Sequence, residues 1–166
     1  MRIYIKRGTL AQERADAIIN PANGTGAMAS GIGAALKNTG SGSIEKDAKA
    51  QAPIPLGTAV LTLGYNLGAA HVIHAVTTSR IVEEAKLENI RAALNAALAL
   101  AEQHGFVTLI IPGLGNSIGQ SKKDAVAKAM VEALRIFPAK SLQEILLMPQ
   151  DGEMEKAFNA ALRSTT

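Results

Sequence analysis

The sequence predicts a three-layer α/β domain built on a largely buried, mostly parallel sheet, and three observations support this. Strand-like and helix-like apolar patterns alternate along 166 residues, the order of a sheet covered by helices on both faces. The apolar content is 48% but the aromatic content only 3%, so the core is aliphatic, as suits strands buried on both sides. Glycine-rich stretches also follow two of the strands and precede helices. The length fits a single domain over residues 1–166 with a sizeable core.

Each element has a local reason. Arg2–Lys6 (RIYIK) alternates at the strand period, and Ala15–Asn20 (ADAIIN) reads as a buried strand that stops at Asn20-Pro21. Glycines crowd positions 24–33, and a short helix over Ala34–Asn38 is stopped by Gly40. Ser43–Ala52 adds a further turn or two before Pro53 and Pro55 break it. TAVLTL (Thr58–Leu63) and HVIHAV (His71–Val76) are strands. The clearest helix covers Glu83–His104, with Leu87, Ile90, Leu94, Leu98 and Ala101 at spacings of three and four and Gly105 as its stop. A strand over Val107–Ile111 leads through a loop to a helix at Lys122–Phe137. Ser121 is placed to cap that helix, with Val126, Met130, Ala133, Leu134 and Phe137 inward. Strand Glu144–Met148 and a helix capped near Asp151, burying Met154, Ala157, Phe158, Ala161 and Leu162, complete the order β-β-α-β-β-α-β-α-β-α.

Composition narrows the function. Without cysteine there is no disulfide, thiolate nucleophile or Cys-ligated metal. No run reaches the roughly 18 apolar residues of a membrane span, and the N-terminus lacks a signal-peptide core. A soluble, cytoplasmic chain without membrane contact is the expectation. A net charge of +3 from scattered basic residues, with no aromatics interleaved, makes nucleic acid a poor partner. No HExxH, carboxylate cluster or Gly-x-Ser-x-Gly motif is present, so neither a metal nor serine acyl transfer is implied. His74 reads as a hydrogen-bonded core or rim residue. His104 and the Glu83-Glu84 pair read as residues at helix ends, placed for the dipole.

The chemistry is expected at the two glycine loops, 23–33 and 112–119. Such loops can serve simply as tight connections. They also let main-chain N–H groups face an anion beside a helix N-terminus, at the carboxyl ends of strands where open α/β sheets bind ligands. Two of them at one edge would make a diphosphate cradle. Gly113-Leu114-Gly115 running to Gly119 also has the look of a dinucleotide loop, but the acid ending the next strand, Asp151, comes too late. Asn20 and Asn23, around Pro21-Ala22, can either close turns with their own amides or bind ribose hydroxyls.

The segment DAIINPAN (Asp16–Asn23) resembles the DAIVNAAN segment of macro domains, the ADP-ribose-binding module. The likeness continues in register through Gly31-Ile32, Thr58–Tyr65, Val72-Ile73-His74 and Ile110–Gly119. It implies a mixed six-stranded sheet and ADP-ribose, or an ADP-ribosylated molecule, as the ligand, with no cofactor. Residue by residue, Asn23 matches the asparagine that contacts the distal ribose and is the best catalytic candidate. Ser30, Gly31, Ile32 and Gly33 fall in the first phosphate loop, and Gly113, Gly115, Asn116, Ser117, Ile118 and Gly119 in the second. Thr9 and Leu10 fall at the adenine end. The chain departs from the family where Thr9 replaces an Asp that binds adenine, which removes a charge-assisted bond. It departs again at Ala29-Ser30 in a run of glycines, at Gly33 in place of a hydrolytic Asp, and at Gly119 and Met148-Pro149 in place of aromatics. The phosphate-binding skeleton thus survives better than the base and catalytic contacts. The resemblance implies a binder rather than an enzyme, or a slow hydrolase acting at the distal ribose. The alternatives are a nucleotide-end or nucleic-acid module, and a structural domain with an inactive pocket.

Overall fold

The computed structural model describes residues 1–81, 83–115 and 122–164. Six strands, β1 (Arg2–Ile5), β2 (Ala15–Asn23), β3 (Ala59–Leu63), β4 (Ala69–Thr78), β5 (Thr108–Ile111) and β6 (Glu144–Leu147), form one sheet in the order β1-β6-β5-β2-β4-β3. All pairs are parallel except β3 with β4. Helices α1 (Gly31–Gly40) and α2 (Gly42–Lys49) follow β2. Helices α3 (Leu87–Gln103), α4 (Lys123–Ile136) and α5 (Gly152–Arg163) follow β4, β5 and β6.

The strand period explains the layers. Ala17, Ile19, Ile73, Leu109, Ile111, Ile145 and Leu147 pack with Leu94, Leu98, Met130, Leu134 and Phe158 from α3, α4 and α5. Their neighbours in sequence, Ile18, Val72, Ile110 and Leu146, face the other way and pack with Met28, Leu36 and Ile44. Each such side chain, fully withdrawn from water, contributes about 1.5–3 kcal/mol. At the start of β2, the Asp16 carboxylate accepts the N–H groups of Val107 and Thr108 at 2.7 and 3.1 Å, fixing β2 against β5.

Several boundaries differ from expectation. Strand β2 does not stop at Asn20 but continues through Pro21 to Asn23. It pairs with β5 only at Ala17 and Ile18, so Pro21 lies on a locally open side and its missing N–H breaks no ladder bond. Two helices, α1 and α2, stand between β2 and β3 where one short helix and an extra turn were expected. Helix α3 begins at Leu87, not Glu83, and Leu87 is exposed because it lies in the first turn rather than on the inner stripe. Gly105 does stop this helix, at φ +68°. The expected cap Ser121 lies outside the described residues, and Lys122 stands before α4 without a side-chain cap bond. Asp151 caps α5 as expected, accepting from the N–H of Met154 at 2.8 Å.

Candidate functional site

A cleft of about 600 Å³ opens across the carboxyl ends of the strands, within the size range of small-ligand sites. Its floor is the end of β2. One end lies after β1 and β6, at Gly8, Thr9, Leu10 and Gln150, and the other after β4, at Thr77, Thr78, Ile81 and Glu83.

The first glycine loop forms one wall. Asn23 closes the turn after β2: its Oδ1 accepts the N–H of Thr25 at 2.9 Å and the Thr25 hydroxyl, and its Nδ2 donates to the carbonyl of Ala27 at 3.1 Å. Gly26 sits at φ +78°, where an added Cβ would come within 2.7 Å of the Lys49 backbone nitrogen, so the loop lies directly on α2. Farther along, the Met28 N–H donates to the Glu45 carboxylate at 2.6 Å. That bond is the largest influence holding the Glu45 carboxyl below its usual range; burial opposes it, and Lys37 and Lys49 assist. The loop delivers the chain to α1. This helix has no acidic residue in its first turn and no side-chain cap bond from Ser30, so its leading N–H groups and positive dipole end are free to meet an anion.

Under that helix end lies a buried polar chain across three strands. The Asn20 amide nitrogen is 3.2 Å from His74 Nδ1, and Thr62 Oγ1 is 2.9 Å from His74 Nε2. Burial pushes the His74 imidazole down to about 4, so the ring is neutral at pH 7. With the amide donating to Nδ1, the ring proton sits on Nε2 and donates to the Thr62 hydroxyl. Among the described residues Asn20 Oδ1 has no partner although it is buried, and a Cβ added at Gly33 would lie 3.4 Å from it.

The start of the second loop is pinned from β6. Gln150 accepts the N–H of Gly113 at 2.9 Å and donates to its carbonyl at 2.8 Å, a two-point clamp.

The cleft thus brings together Thr9, Leu10, Asn20, Asn23, Ser30, Gly31, Ile32, Gly33 and Gly113. Gly115 is buried but does not line it. Asn116, Ser117, Ile118 and Gly119 lie outside the described residues. Sequence reasoning missed Gln150 and Glu83, although both follow strand ends, where α/β sheets place ligand contacts. Among the described residues Glu83 is the one ionisable group lining the cleft. Contrary to expectation it does not start a helix; it accepts the N–H groups of Ser79 and Arg80 through Oε2 at 3.0 and 3.1 Å. No group of three or more His, Asp or Glu suited to a metal occurs among the described residues, nor a helix long and apolar enough to cross a membrane. The donors available to an anion are main-chain N–H groups rather than Lys or Arg.

The family model of the Macro domain matches residues 19–130. The chain belongs to the Macro domain family. An uncharacterized protein of Aquifex aeolicus is 39% identical over 162 residues, covering 98% of each chain. Among solved structures, the Oceanobacillus iheyensis macrodomain with ADP superposes at a TM-score of 0.86 with 16% identity, covering 97% of this chain and 90% of that one. The Trypanosoma brucei macrodomain in complex with ADP-ribose gives 0.82 at 19% identity, covering 96% of this chain and 68% of that one. At such low identity these likenesses establish the macro-domain fold. The cleft described above lies at the carboxyl edge of that fold.

Proposed function

We propose that this chain, acting as a single domain over residues 1–166, binds ADP-ribose or a related nucleoside diphosphate in the cleft. The observation that carries this reading is the uncapped, acid-free N-terminus of α1 opening onto a cleft of about 600 Å³ at the ends of β2 and β5. A diphosphate there receives several main-chain N–H bonds and the helix dipole, each charge-assisted. That two macrodomain structures of this fold were solved with ADP and with ADP-ribose supports the choice of ligand. Residues 113–119 would supply the second half of the cradle. Thr9 at the far end provides a hydroxyl but no carboxylate, so the site selects adenine weakly.

Binding is the primary role. General acid–base catalysis contributes ~10²–10⁴ in rate, and the lone carboxylate of the cleft is already engaged by two main-chain N–H groups. Hydrolysis at the distal ribose, of an O-acetyl or protein-linked ADP-ribose, would therefore be slow. Isothermal titration with ADP-ribose, ADP and AMP tests the reading. ADP-ribose should bind in the micromolar range and AMP far more weakly. Asn23→Ala should lower ADP-ribose affinity by loosening the turn that leads to α1. Absence of heat at millimolar ADP-ribose would refute the reading.

A further inference from the structure

We propose that Glu83 makes the cleft select ligands whose end beyond the diphosphate is uncharged and reject those carrying a further phosphate there. The inference rests on the nucleoside-diphosphate reading above and concerns which members of that class enter. The cleft has two distinguishable ends. Thr9 and Gln150 mark the end after β1 and β6, and Glu83 marks the opposite end, beyond β4. That second end adjoins Asn23: the N–H of Gly24 donates to the carbonyl of Thr78 at 3.1 Å, and an added Cβ at Gly24 would lie 3.1 Å from the carbonyl oxygen of Ser79.

Glu83 is fixed there, because Oε2 accepts the N–H groups of Ser79 and Arg80. It is also not ion-paired among the described residues. The adjacent Glu84 is paired with Lys122, whereas no lysine, arginine or histidine pairs with Glu83 among the described residues, and Arg80 in the same turn forms no ion pair with it. The remaining residues of the chain, 82, 116–121 and 165–166, include no lysine or arginine. A phosphate at the α1 terminus meets N–H donors, while a phosphate at the β4 end meets a carboxylate. Like charges a few ångströms apart at an exposed mouth reduce affinity by about five- to tenfold. A sugar hydroxyl at the same place can instead donate to the carboxylate.

The test is titration of the wild-type protein and Glu83→Gln with two ligands, ADP-ribose and ADP-ribose bearing a phosphate on its terminal ribose. The glutamine carbonyl can still accept from Ser79 and Arg80, and thermal melting checks that the turn and fold persist. The ratio of the two affinities is the readout. Wild type should bind the phosphorylated ligand about five- to tenfold more weakly, a gap that narrows with added salt and largely closes in Glu83→Gln. Equal affinities in wild type, or a gap unchanged in the variant, would overturn the assignment to Glu83 while leaving ADP-ribose binding intact. If wild type binds neither ligand, the underlying reading and this inference both fail.

Discussion

His74 makes the stability of this protein depend on pH well inside the neutral-to-acid range. Burial lowers its imidazole from 6.5 in the unfolded chain to about 4 in the native state. Below about pH 6.5 the unfolded chain takes up a proton that the folded one refuses, so stability falls as pH falls, and the loss levels off below about pH 4. The full difference corresponds to about 3 kcal/mol, of which about 2 kcal/mol is already lost on going from about pH 7.5 to about pH 5. The two carboxylates with lowered values, Glu45 and Glu102, act below their ordinary value of 4.5 and leave this window clear. For a chain of this size the loss corresponds to a urea midpoint lower by roughly 1 M. Urea unfolding of wild type and His74→Gln at the two pH values is the assay, with the glutamine supplying an amide in place of the ring. The variant should start less stable and lose much less on acidification. A wild-type midpoint that does not move, or a variant that loses as much as wild type, would show that the buried Asn20–His74–Thr62 chain does not hold a neutral ring.

Further outcomes follow from other contacts. Burial pushes the Glu102 carboxyl up, but the N–H groups of Lys140, Ser141 and Leu142 and the Ser141 hydroxyl outweigh it and bring the group to about 2. Its stabilisation is present above about 4.5 and lost as pH falls toward 2. Glu102→Gln should therefore cost about 1–2 kcal/mol at pH 7, and acid titration of its unfolding free energy should lack wild type's steepest fall below pH 4.5. Gln150→Ala removes both bonds to Gly113, and with each worth about 1 kcal/mol thermal melting should register the loss. If the second loop shapes the cleft, ADP-ribose affinity falls with it, as titration will show.

Much of the architecture could be read from local patterning. The order of strands and helices was accessible because both faces of the sheet are aliphatic and the helices bury stripes at spacings of three and four. Asp151 and Gly105 mark helix ends by chemistry that acts within a few residues. The boundaries that differ involve partners distant in sequence. Pro21 normally ends a strand, and here it does not, because β5 stops pairing with β2 before reaching it. Glu83 has the composition of a helix start, yet the chain turns back to bond with Ser79 and Arg80, and α3 begins four residues later.

The candidate site divides in the same way. The amino-acid order alone determined that two glycine-rich turns leave the carboxyl ends of strands and that two asparagines precede the first, since these are features of adjacent residues. Only the tertiary structure decided how the asparagines divide the work. Asn23 uses its amide to close its own turn, while Asn20 is held by His74, 54 residues away in the chain, and keeps an oxygen beneath Gly33 that is unpartnered among the described residues. The same holds for the Gln150 clamp on Gly113 and the position of Glu83 at one end of the cleft. A side chain's partners depend on which strand lies beside which, and that is settled by packing of the whole sheet rather than by any stretch of sequence.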